Sequence, residues 1–214
     1  MTEDLHSLRR DYKLAELKRE DLCADPIEQF DLWLKQVIDA GIKDPTAMVV
    51  ATVSADGQPS LRTVLLKQVD QAGFVFFTNY ASRKAEEIAA NPKVGLLFPW
   101  HFMDRQVKVC GTATKVSALE SLQYFASRPV ESQLAAWASR QSKAITSKQL
   151  LLGQLERMKA KFAHGHIPLP DFWGGFRVVP HEIEFWQGGV SRMHDRFQYR
   201  LDDKGEWQIE RLMP

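Results

Sequence analysis

The sequence is poor in cysteine and has no long apolar run. It contains two cysteines in 214 residues, Cys23 and Cys110, and neither belongs to a CxxC pair. Isolated cysteines of this kind favour reduced thiols in a cytoplasmic protein over the two halves of a disulfide. No apolar run approaches the roughly 20 residues that span a bilayer. The charged segment 1–21 does not have the pattern of a signal peptide. We therefore expect a soluble, cytoplasmic protein without a membrane partner.

Strong net charge and the common catalytic motifs are also absent. The 28 Lys and Arg residues are balanced by 27 Asp and Glu, which argues against a general nucleic-acid-binding protein and still allows a local basic pocket. There is no HExxH, GxSxG, Cys-based zinc spacing or strand–GxGxxG–helix unit, which argues against the enzyme classes that those motifs define. His164 and His166 have no third ligand nearby in the sequence, so no metal site is predicted.

No linker rich in proline, glycine or serine divides the chain. We predict an N-terminal extension over 1–24 and a single domain over 25–214. A chain of this length buries enough apolar surface to fold without disulfides or a structural metal.

The hydrophobic pattern changes its period along the chain. Asp25, Pro26 and Gly41 punctuate a helix in "DPIEQFDLWLKQVIDAG". From Thr46 onward, short segments rich in β-branched and aromatic residues predict a meander of strands. Three helices follow, and the C-terminal part is again β, with "DDKG" as a hairpin turn. We predict at least seven strands in an antiparallel β-barrel of the α+β class, with flanking helices.

Two adjacent cations lie at a predicted helix start in "YASRKAEEIAANP". With Ser82 as the N-cap, Arg83 and Lys84 fall in the first turn, where the helix dipole disfavours cations by up to about 1 kcal/mol each. A phosphate bound by the free backbone N–H groups and by both side chains would remove the conflict. The alternative is two long side chains that extend into water, and the segment alone leaves both open.

A second pair of cations, Arg62 and Lys67, brackets the apolar run of "SLRTVLLKQ". Residues five apart point to opposite faces of a regular strand. The pair can serve one pocket only if the strand bulges or if one residue lies at its end. The alternative is an ordinary pair of strand-end charges.

A third group, in "YFASRPVESQ", combines two hydroxyls with a guanidinium. Tyr124 and Arg128 lie at i and i+4 on one helix face, and Ser132 follows within a turn beyond Pro129. All three are donors that suit a phosphate dianion, although this spacing is common by chance.

The segment "FWQGGVSRMHDRF", Phe185–Phe197, places three basic side chains within five residues. If the residues after the glycines form a strand, Arg192, His194 and Arg196 share one face and repel one another unless an anion or water separates them. The paired glycines favour a close approach of the backbone to a ligand or another chain. A solvated edge strand is the alternative.

Together, these segments resemble the pyridoxine (pyridoxamine) 5′-phosphate oxidase family. The resemblance covers nearly the whole chain, and the motifs occur in the family's order and spacing: "DPTAMVVATV", "RTVLLK", "FFTNYASRKAEEIAANP", "LLFPWHFMDRQV", "SRPVESQ", "PLPDFWGGFRV", "EFWQGG" and "RMHDRF". It implies a split-barrel fold, a homodimer with FMN at the subunit interface, and vitamin B6 phosphates as substrates.

The resemblance also assigns roles to residues of this chain. The FMN contacts would be Arg62, Thr63, Val64, Leu65, Leu66, Lys67, Phe77, Thr78, Arg83, Lys84, Gln106, Gln141, Ser142, Trp186 and Arg196. The substrate phosphate would meet Lys67, Tyr124, Arg128 and Ser132. Arg192, Met193 and His194 would lie at the pyridine ring, with Arg192 and His194 as the catalytic pair. Arg9, Arg10, Asp11 and Tyr12 would form a lid over the substrate.

The implied reaction oxidises the 4′ carbon of pyridoxine or pyridoxamine 5′-phosphate. A hydride equivalent passes to the flavin, pyridoxal 5′-phosphate forms, and O2 reoxidises the flavin and leaves as hydrogen peroxide. Two other classes share part of the pattern: a different flavin split-barrel reductase, and a non-enzymatic FMN- or pyridoxal-phosphate-binding protein. The reductase would have no reason to keep Tyr124, Arg128 and Ser132 together with "RMHDRF".

Overall fold

The computed structural model describes residues 16–139, 141–163 and 165–214. The predicted lid residues Arg9, Arg10, Asp11 and Tyr12 lie outside this part of the chain. The described chain divides into two compact units. The terminal unit comprises the described part of Met1–Val49 together with Gly95–Cys110 and Pro180–Pro214, and the central unit comprises Val50–Val94 and Gly111–Val179. Each unit is assembled from separate stretches of sequence, and the predicted boundary at residue 25 stays a prediction.

The strands belong to one nine-stranded sheet. They are β1 Ala47–Val53, β2 Pro59–Leu65, β3 Gln68–Asp70, β4 Gly73–Asn79, β5 Lys93–Phe98, β6 Arg105–Lys115, β7 Trp173–Gln187, β8 Asp195–Leu201 and β9 Trp207–Arg211. Their order is β2-β1-β5-β6-β7-β4-β3, with β8 paired to β7 and β9 paired to β8. The pairs β3–β4, β4–β7, β7–β8 and β8–β9 are antiparallel. The predicted antiparallel α+β class is confirmed.

Strand β7 differs from the prediction, which has two strands in "WGGFRVVP" and "EIEFWQ". The structure has one, because the chain stays extended through Pro180. Proline cannot donate to a sheet ladder and is therefore typical of strand ends. In β7 it falls between the ladder to β4, which ends at Val178, and the ladder to β8, which begins at Glu182. The missing N–H therefore removes no hydrogen bond from either ladder.

Five α-helices accompany the sheet: α1 Pro26–Asp39, α2 Arg83–Ala90, α3 Ala118–Ser127, α4 Val130–Ala138 and α5 Lys148–Lys161. Asp25 caps α1 by accepting hydrogen bonds from two backbone N–H groups. The predicted capping box of α3 is formed by Ser117 and Glu120. Within the described ranges, no helix combines the length and the apolar character that crossing a membrane requires.

The core of the terminal unit is aromatic. Phe30 of α1 meets Phe98 at a ring-centroid distance of 4.8 Å, and Trp33 of the same helix meets Phe185 of β7 at 5.2 Å. Tyr199 of β8 packs edge-on against Phe185 at 5.5 Å. These contacts hold α1 against the strands that carry Trp186 and Arg196.

The core of the central unit centres on Phe125, Leu134, Ile167 and Trp173. Next to it, the backbone of β7 makes a close approach at Gly174. A Cβ atom there would lie 2.3 Å from the hydroxyl oxygen of Tyr80. Glycine is therefore required at this position for the ring of Tyr80 to pack on the strand.

Candidate active site

The central unit contains a cavity of about 540 Å³, which lies within the size range of small-molecule sites. It brings together residues of the three segments "SLRTVLLKQ", "YASRKAEEIAANP" and "YFASRPVESQ", which are far apart in sequence. Predicted contact residues in its lining are Thr63, Val64, Leu65, Lys67, Phe77, Thr78, Lys84, Tyr124, Arg128, Ser132 and Gln141. The lining also includes Asn79, Pro129, Ala135, Ala136, Ser139 and Trp173.

One wall of the cavity is a stack of three aromatic rings. Phe77 of β4 stacks on Tyr124 of α3, with 4.0 Å between centroids and 21° between planes. Trp173 of β7 lies nearly parallel to both rings, at 5.5 Å from Phe77 and 6.1 Å from Tyr124. A flat wall with polar groups at its rim suits a ligand that is itself a substituted heteroaromatic ring.

Arg128 places a cation against this wall. It forms the C-cap of α3, and its guanidinium carbon lies 4.7 Å from the centroid of the Trp173 ring. Burial lowers the pKa of Arg128, an effect that the nearby Tyr124 partly offsets. The Nη1 atom is buried and makes no hydrogen bond within the described part of the chain. A buried charged donor without a partner is costly, and an anion in the cavity would supply the partner.

Lys84 turns inward from the start of α2. Its side chain is buried, and Nζ donates hydrogen bonds to Thr78 Oγ1 and Gln141 Oε1, each at 2.9 Å. Burial, followed by the positive charge of Arg62, lowers the pKa of Lys84 to about 8. A bound anion would favour the charged form and raise this pKa again. The alternative of a side chain that extends into water is therefore wrong for Lys84.

Lys67 reaches the cavity because it lies outside the strand. Strand β2 ends at Leu65, and the backbone N–H of Lys67 donates to the carbonyl of Val75 at 2.8 Å in the connection that follows. The alternation of a regular strand no longer applies there. Lys67 thus lies beyond the strand end, but Arg62 is not among the residues that line this cavity, so the two cations do not share it.

Some predicted flavin contacts of the central unit do not line this cavity. Arg62 and Arg83 instead form ion pairs with the carboxylate of Glu87. Leu66 is buried. Ser142, at a positive φ of 67°, lines a neighbouring cavity.

The remaining predicted residues belong to the terminal unit: Gln106, Trp186, Arg192, Met193, His194 and Arg196. The prediction that Arg192, His194 and Arg196 share one strand face is wrong. The chain forms a 3-10 turn over Val190–Arg192, and β8 begins only at Asp195. The physical reason lies at Ser191 and Arg192, whose φ angles of 54° and 64° turn the chain out of an extended path. The turn brings Met193 so close to Gly189 that a Cβ atom at Gly189 would lie 1.9 Å from the carbonyl oxygen of Met193, so the position needs a residue without a side chain.

The 3-10 turn holds two residues in a strained conformation. Ser191 and Arg192 have φ angles of 54° and 64°, a left-handed region that costs a non-glycine residue about 1 kcal/mol or more. Strain of this kind clusters at functional sites, where the surrounding structure enforces it. The turn thus sets the backbone conformation of Arg192, whose side chain is exposed.

His194 is oriented by the backbone of the same turn. Its Nδ1 accepts a hydrogen bond from the N–H of Gly189 at 3.1 Å, and its ring lies 4.7 Å from that of Trp186. A ring nitrogen that accepts carries no proton, so the neutral imidazole has its proton on Nε2. The turn therefore fixes the orientation of the His194 ring.

Arg196 and Glu184 form an ion pair across β7 and β8. Arg196 Nε donates to Glu184 Oε1 at 2.8 Å, and Lys108 Nζ lies 2.6 Å from Oε2. Burial raises the pKa of Glu184, but the hydrogen bonds from Arg196 and Lys108 outweigh it, so the net shift is downward. Gln106 lies on the same strand as Lys108 and is half-buried.

The sequence analysis missed several residues that the structure places at the site. Trp173 was visible only as part of the motif "PLPDFWGGFRV", which did not reveal that its ring lies against Arg128. Glu87, Ser60 and Thr52 carry no sequence signal, because their hydrogen bonds join three separate segments. No group of three or more potential metal ligands among His, Cys, Asp and Glu occurs in the described ranges.

Solved structures place this fold in the split-barrel class. PhzG from Burkholderia lata 383, solved with tetrahydrophenazine-1-carboxylic acid, has a TM-score of 0.88 at 27% sequence identity, over 94% of this chain and 99% of that one. A pyridoxamine 5′-phosphate oxidase-related, FMN-binding protein from Nostoc punctiforme PCC 73102 has a TM-score of 0.72 at 16% identity, over 89% and 98%. The predicted split-barrel fold is confirmed.

Sequence comparison narrows the class to one family. The model of the family described as "Pyridoxamine 5'-phosphate oxidase" matches residues 34–162, and the "Pyridoxine 5'-phosphate oxidase C-terminal dimerisation region" matches residues 173–214. Relatives named pyridoxine/pyridoxamine 5′-phosphate oxidase are 63% identical in Teredinibacter turnerae, over 99% of this chain and 100% of the relative, and 57% identical in Alteromonas mediterranea, over 98% and 99%. The chain belongs to the pyridoxine/pyridoxamine 5′-phosphate oxidase family.

Proposed function

We propose that this protein is an FMN-dependent oxidase that converts pyridoxine or pyridoxamine 5′-phosphate to pyridoxal 5′-phosphate, with O2 as the electron acceptor and H2O2 as the second product. The observation that carries the proposal is the buried Nη1 of Arg128, which has no hydrogen-bond partner in the described chain and belongs to a cavity lined also by Tyr124 and Ser132. A phosphate monoester is the anion that this set of one cation and two hydroxyls suits.

The residues of the central unit also fit FMN. A buried ammonium on Lys84 with a lowered pKa, an exposed guanidinium on Arg83 and polar groups on Thr78 and Gln141 are the donors that a flavin phosphate needs. We assign the other flavin contacts as the sequence predicts them, including Gln106, Trp186 and Arg196. The residue-by-residue assignment follows from the family motifs.

FMN, when bound, supplies the electron chemistry of the reaction by accepting a hydride equivalent and delivering the electrons to O2. The protein binds and orients the substrate. Lys67, Arg128 and their hydroxyl neighbours hold the phosphate at the end of the substrate that does not react, and this binding energy serves to fix the 4′ carbon for the transfer. Arg192 and His194 would orient the pyridine ring of the substrate through its 3′ oxygen and restrict its tilt.

We further propose that the active form is a cytoplasmic homodimer with FMN at the subunit interface. The match of residues 173–214 to a dimerisation region supports the dimer. The two cysteines, which are both free thiols, are compatible with a reducing compartment.

Oxygen uptake by the purified protein tests the proposal. We expect a yellow protein with a flavin absorption spectrum that consumes O2 and forms H2O2 with pyridoxine or pyridoxamine 5′-phosphate. Unphosphorylated pyridoxine, which lacks the group that Arg128 would bind, serves as the matched control and should be a poor substrate. A protein that takes up no FMN, or that holds FMN and is inert to both phosphates, would show that the proposal is wrong.

A further inference from the structure

Glu87 is a buried carboxylate in the central unit, and the mechanism described so far makes no use of it. It lies on α2 with a side chain that is 5% exposed. Its Oε1 accepts a hydrogen bond from Arg83 Nε at 2.7 Å. Its Oε2 accepts from Ser60 Oγ at 2.6 Å and from the hydroxyl of Thr52. Arg62 Nη2 lies 3.3 Å from the same oxygen.

This carboxylate is held as a permanent anion. Burial raises the pKa of Glu87, but the hydrogen bonds from Ser60, Thr52, Arg83 and Arg62 outweigh burial and lower it to about 2. Every donor therefore meets a charged acceptor at any physiological pH. Glu87 therefore stays ionised at neutral pH, and its hydrogen bonds hold Arg83, Ser60 and Thr52 in place.

Arg62 orients the two hydroxyl groups that donate to Glu87. Its Nη1 donates to the hydroxyl of Thr52 at 2.5 Å and to the carbonyl of Val50 at 3.2 Å, and its Nη2 donates to the hydroxyl of Ser60 at 2.6 Å. Both hydroxyls then donate to Glu87. The guanidinium of Arg62 is thereby committed to the protein. This explains why it does not line the cavity although the sequence predicts a direct contact.

Arg83 is attached to Glu87 in a different way. Only its Nε is used in the hydrogen bond to the carboxylate, and its side chain is 57% exposed. No hydrogen bond of the two terminal amino groups occurs within residues 16–139, 141–163 and 165–214, so toward this part of the chain they remain available as a pair of donors for phosphate. Arg83 also directly precedes Lys84, whose ammonium lies in the cavity lining.

We infer that Glu87 is a positioning residue that fixes the guanidinium of Arg83 for the phosphate of the flavin. The inference rests on the proposed function, since it takes FMN as the ligand. With Arg62 committed to Glu87, Arg83 and Lys84 are the two cations of this segment that would face the phosphate, which carries a charge of about −1.5 to −2. Positioning and simple electrostatics predict opposite results for the loss of Glu87. Removal of a negative charge alone would strengthen binding of an anion, whereas loss of the arginine's orientation weakens it.

The test compares FMN with riboflavin, which has the same ring system and no phosphate. Apoprotein is titrated with each flavin, and binding is followed by quenching of flavin fluorescence. For Glu87→Gln we expect the dissociation constant for FMN to rise about tenfold or more, as for loss of a charge-assisted hydrogen bond, and that for riboflavin to stay within about twofold. Glu86→Gln is the matched control, because it removes a carboxylate from the same helix that pairs with Lys143 at the surface, and it should leave both constants unchanged.

Arg83→Met provides a second route to the same answer. Its side chain is mostly exposed, so this variant should fold even if Glu87→Gln does not, and it should lose FMN affinity to a similar extent. In the double variant the two losses should not add, because each removes the same ion pair.

Three outcomes would overturn the inference. FMN affinity that is unchanged or higher in Glu87→Gln would show that orientation of Arg83 does not matter. An equal loss for FMN and riboflavin would show that Glu87 only supports the fold. An unchanged FMN affinity in Arg83→Met would show that Arg83 does not contact the flavin phosphate. Failure of the wild-type protein to bind FMN would instead contradict the proposed function.

Discussion

At the scale of single residues, the polar groups that the protein leaves incompletely paired are the most informative ones. Glu184 and Glu87 are buried, and each has two cationic neighbours. Arg128 is different, because a buried nitrogen of its guanidinium has no partner within the described chain. Lys84 hydrogen-bonds to neutral oxygens and, within the part of the chain that the structure describes, to no carboxylate. Both cations line the same cavity, which therefore has an excess of positive charge toward a ligand.

Substitution of Arg128 tests the substrate-phosphate contact. We expect Arg128→Met to raise KM for pyridoxine 5′-phosphate by about tenfold to a hundredfold, the effect of losing a hydrogen bond to a charged group. The FMN content should be unchanged. Steady-state O2 uptake measures KM, and the absorbance ratio of flavin to protein measures the FMN content. Arg200→Met, which removes an exposed arginine paired with Glu182, should leave KM as it is; an equal KM in the two variants would contradict the assignment.

The lowered pKa of Lys84 predicts that FMN affinity falls at high pH. In the folded apoprotein Lys84 loses its proton near pH 8, so above that value FMN must bind a neutral amine or restore the proton. The dissociation constant should rise by up to about tenfold per pH unit above pH 8. The stability of the apoprotein depends on pH in the opposite direction.

In the unfolded chain Lys84 keeps its proton up to about pH 10.4. Between its folded pKa of about 8 and this value, the unfolded state binds more protons, so the contribution of Lys84 to stability increases with pH.

Fluorescence titrations with FMN between pH 7 and 10 measure this effect. Lys84→Met is the control, since a side chain that cannot titrate should bind FMN weakly at every pH and flatten the profile above pH 8. A wild-type profile as flat as that of Lys84→Met would show that Lys84 does not contact the phosphate.

At the scale of secondary-structure elements, the sequence predicted what is locally encoded. The cap at Asp25 and the capping box at Ser117 each depend on residues within one turn, and both are present. The β-branched residues of "TAMVVATV" likewise predict β1. The turn after Gly189 could not be predicted, because Ser191 and Arg192 take positive φ angles, which side chains of these types rarely adopt and no local pattern indicates.

The candidate site also divides into features that neighbouring residues encode and features that depend on distant contacts. Arg83 and Lys84 were correctly placed in the first turn of α2. The opposite directions of the two side chains could not be predicted. Arg83 points toward its hydrogen-bond partner Glu87, whereas Lys84 points toward Thr78 and Gln141. Gln141 is far away in the sequence, and no local pattern connects it to α2.

The close packing of β7 on Tyr80 gives a prediction at the element scale. We expect Gly174→Ala to lower the free energy of unfolding by about 1–3 kcal/mol, because the new methyl group would lie 2.3 Å from the Tyr80 hydroxyl oxygen. The ring would have to move and lose its hydrogen bond to the carbonyl of Gly175. Urea denaturation of the apoprotein measures the difference.

Gly153→Ala is the matched control for this substitution. Gly153 lies within α5, and a Cβ atom there meets nothing within 4 Å. Because alanine is the better helix former, this variant should be as stable as the wild type or more stable by up to about 1 kcal/mol. If Gly174→Ala behaved in the same way, the close approach of Tyr80 would not matter for stability.

At the scale of the whole molecule, the proposed flavin contacts lie in both compact units. Lys84 and Gln141 belong to the central unit, and Trp186 and Arg196 belong to the terminal unit. The second pair lies on β7 and β8, within the region that matches the family's dimerisation model. If two subunits share one flavin, binding of FMN and formation of the dimer must be thermodynamically linked. FMN binding then makes the free energy of dimer formation more favourable, and dimer formation does the same for FMN binding.

This linkage can be measured without any substitution. We expect FMN to lower the dissociation constant of the dimer, so that apoprotein dissociates on dilution at concentrations where the FMN-bound protein remains dimeric. By reciprocity, the affinity for FMN should rise with protein concentration over the same range. Sedimentation velocity follows the apoprotein by its protein absorbance and the FMN-bound protein at a flavin wavelength, and riboflavin with the apoprotein controls for the phosphate. A monomer that carries a full equivalent of FMN would show that one subunit is sufficient and that the flavin does not lie at the interface.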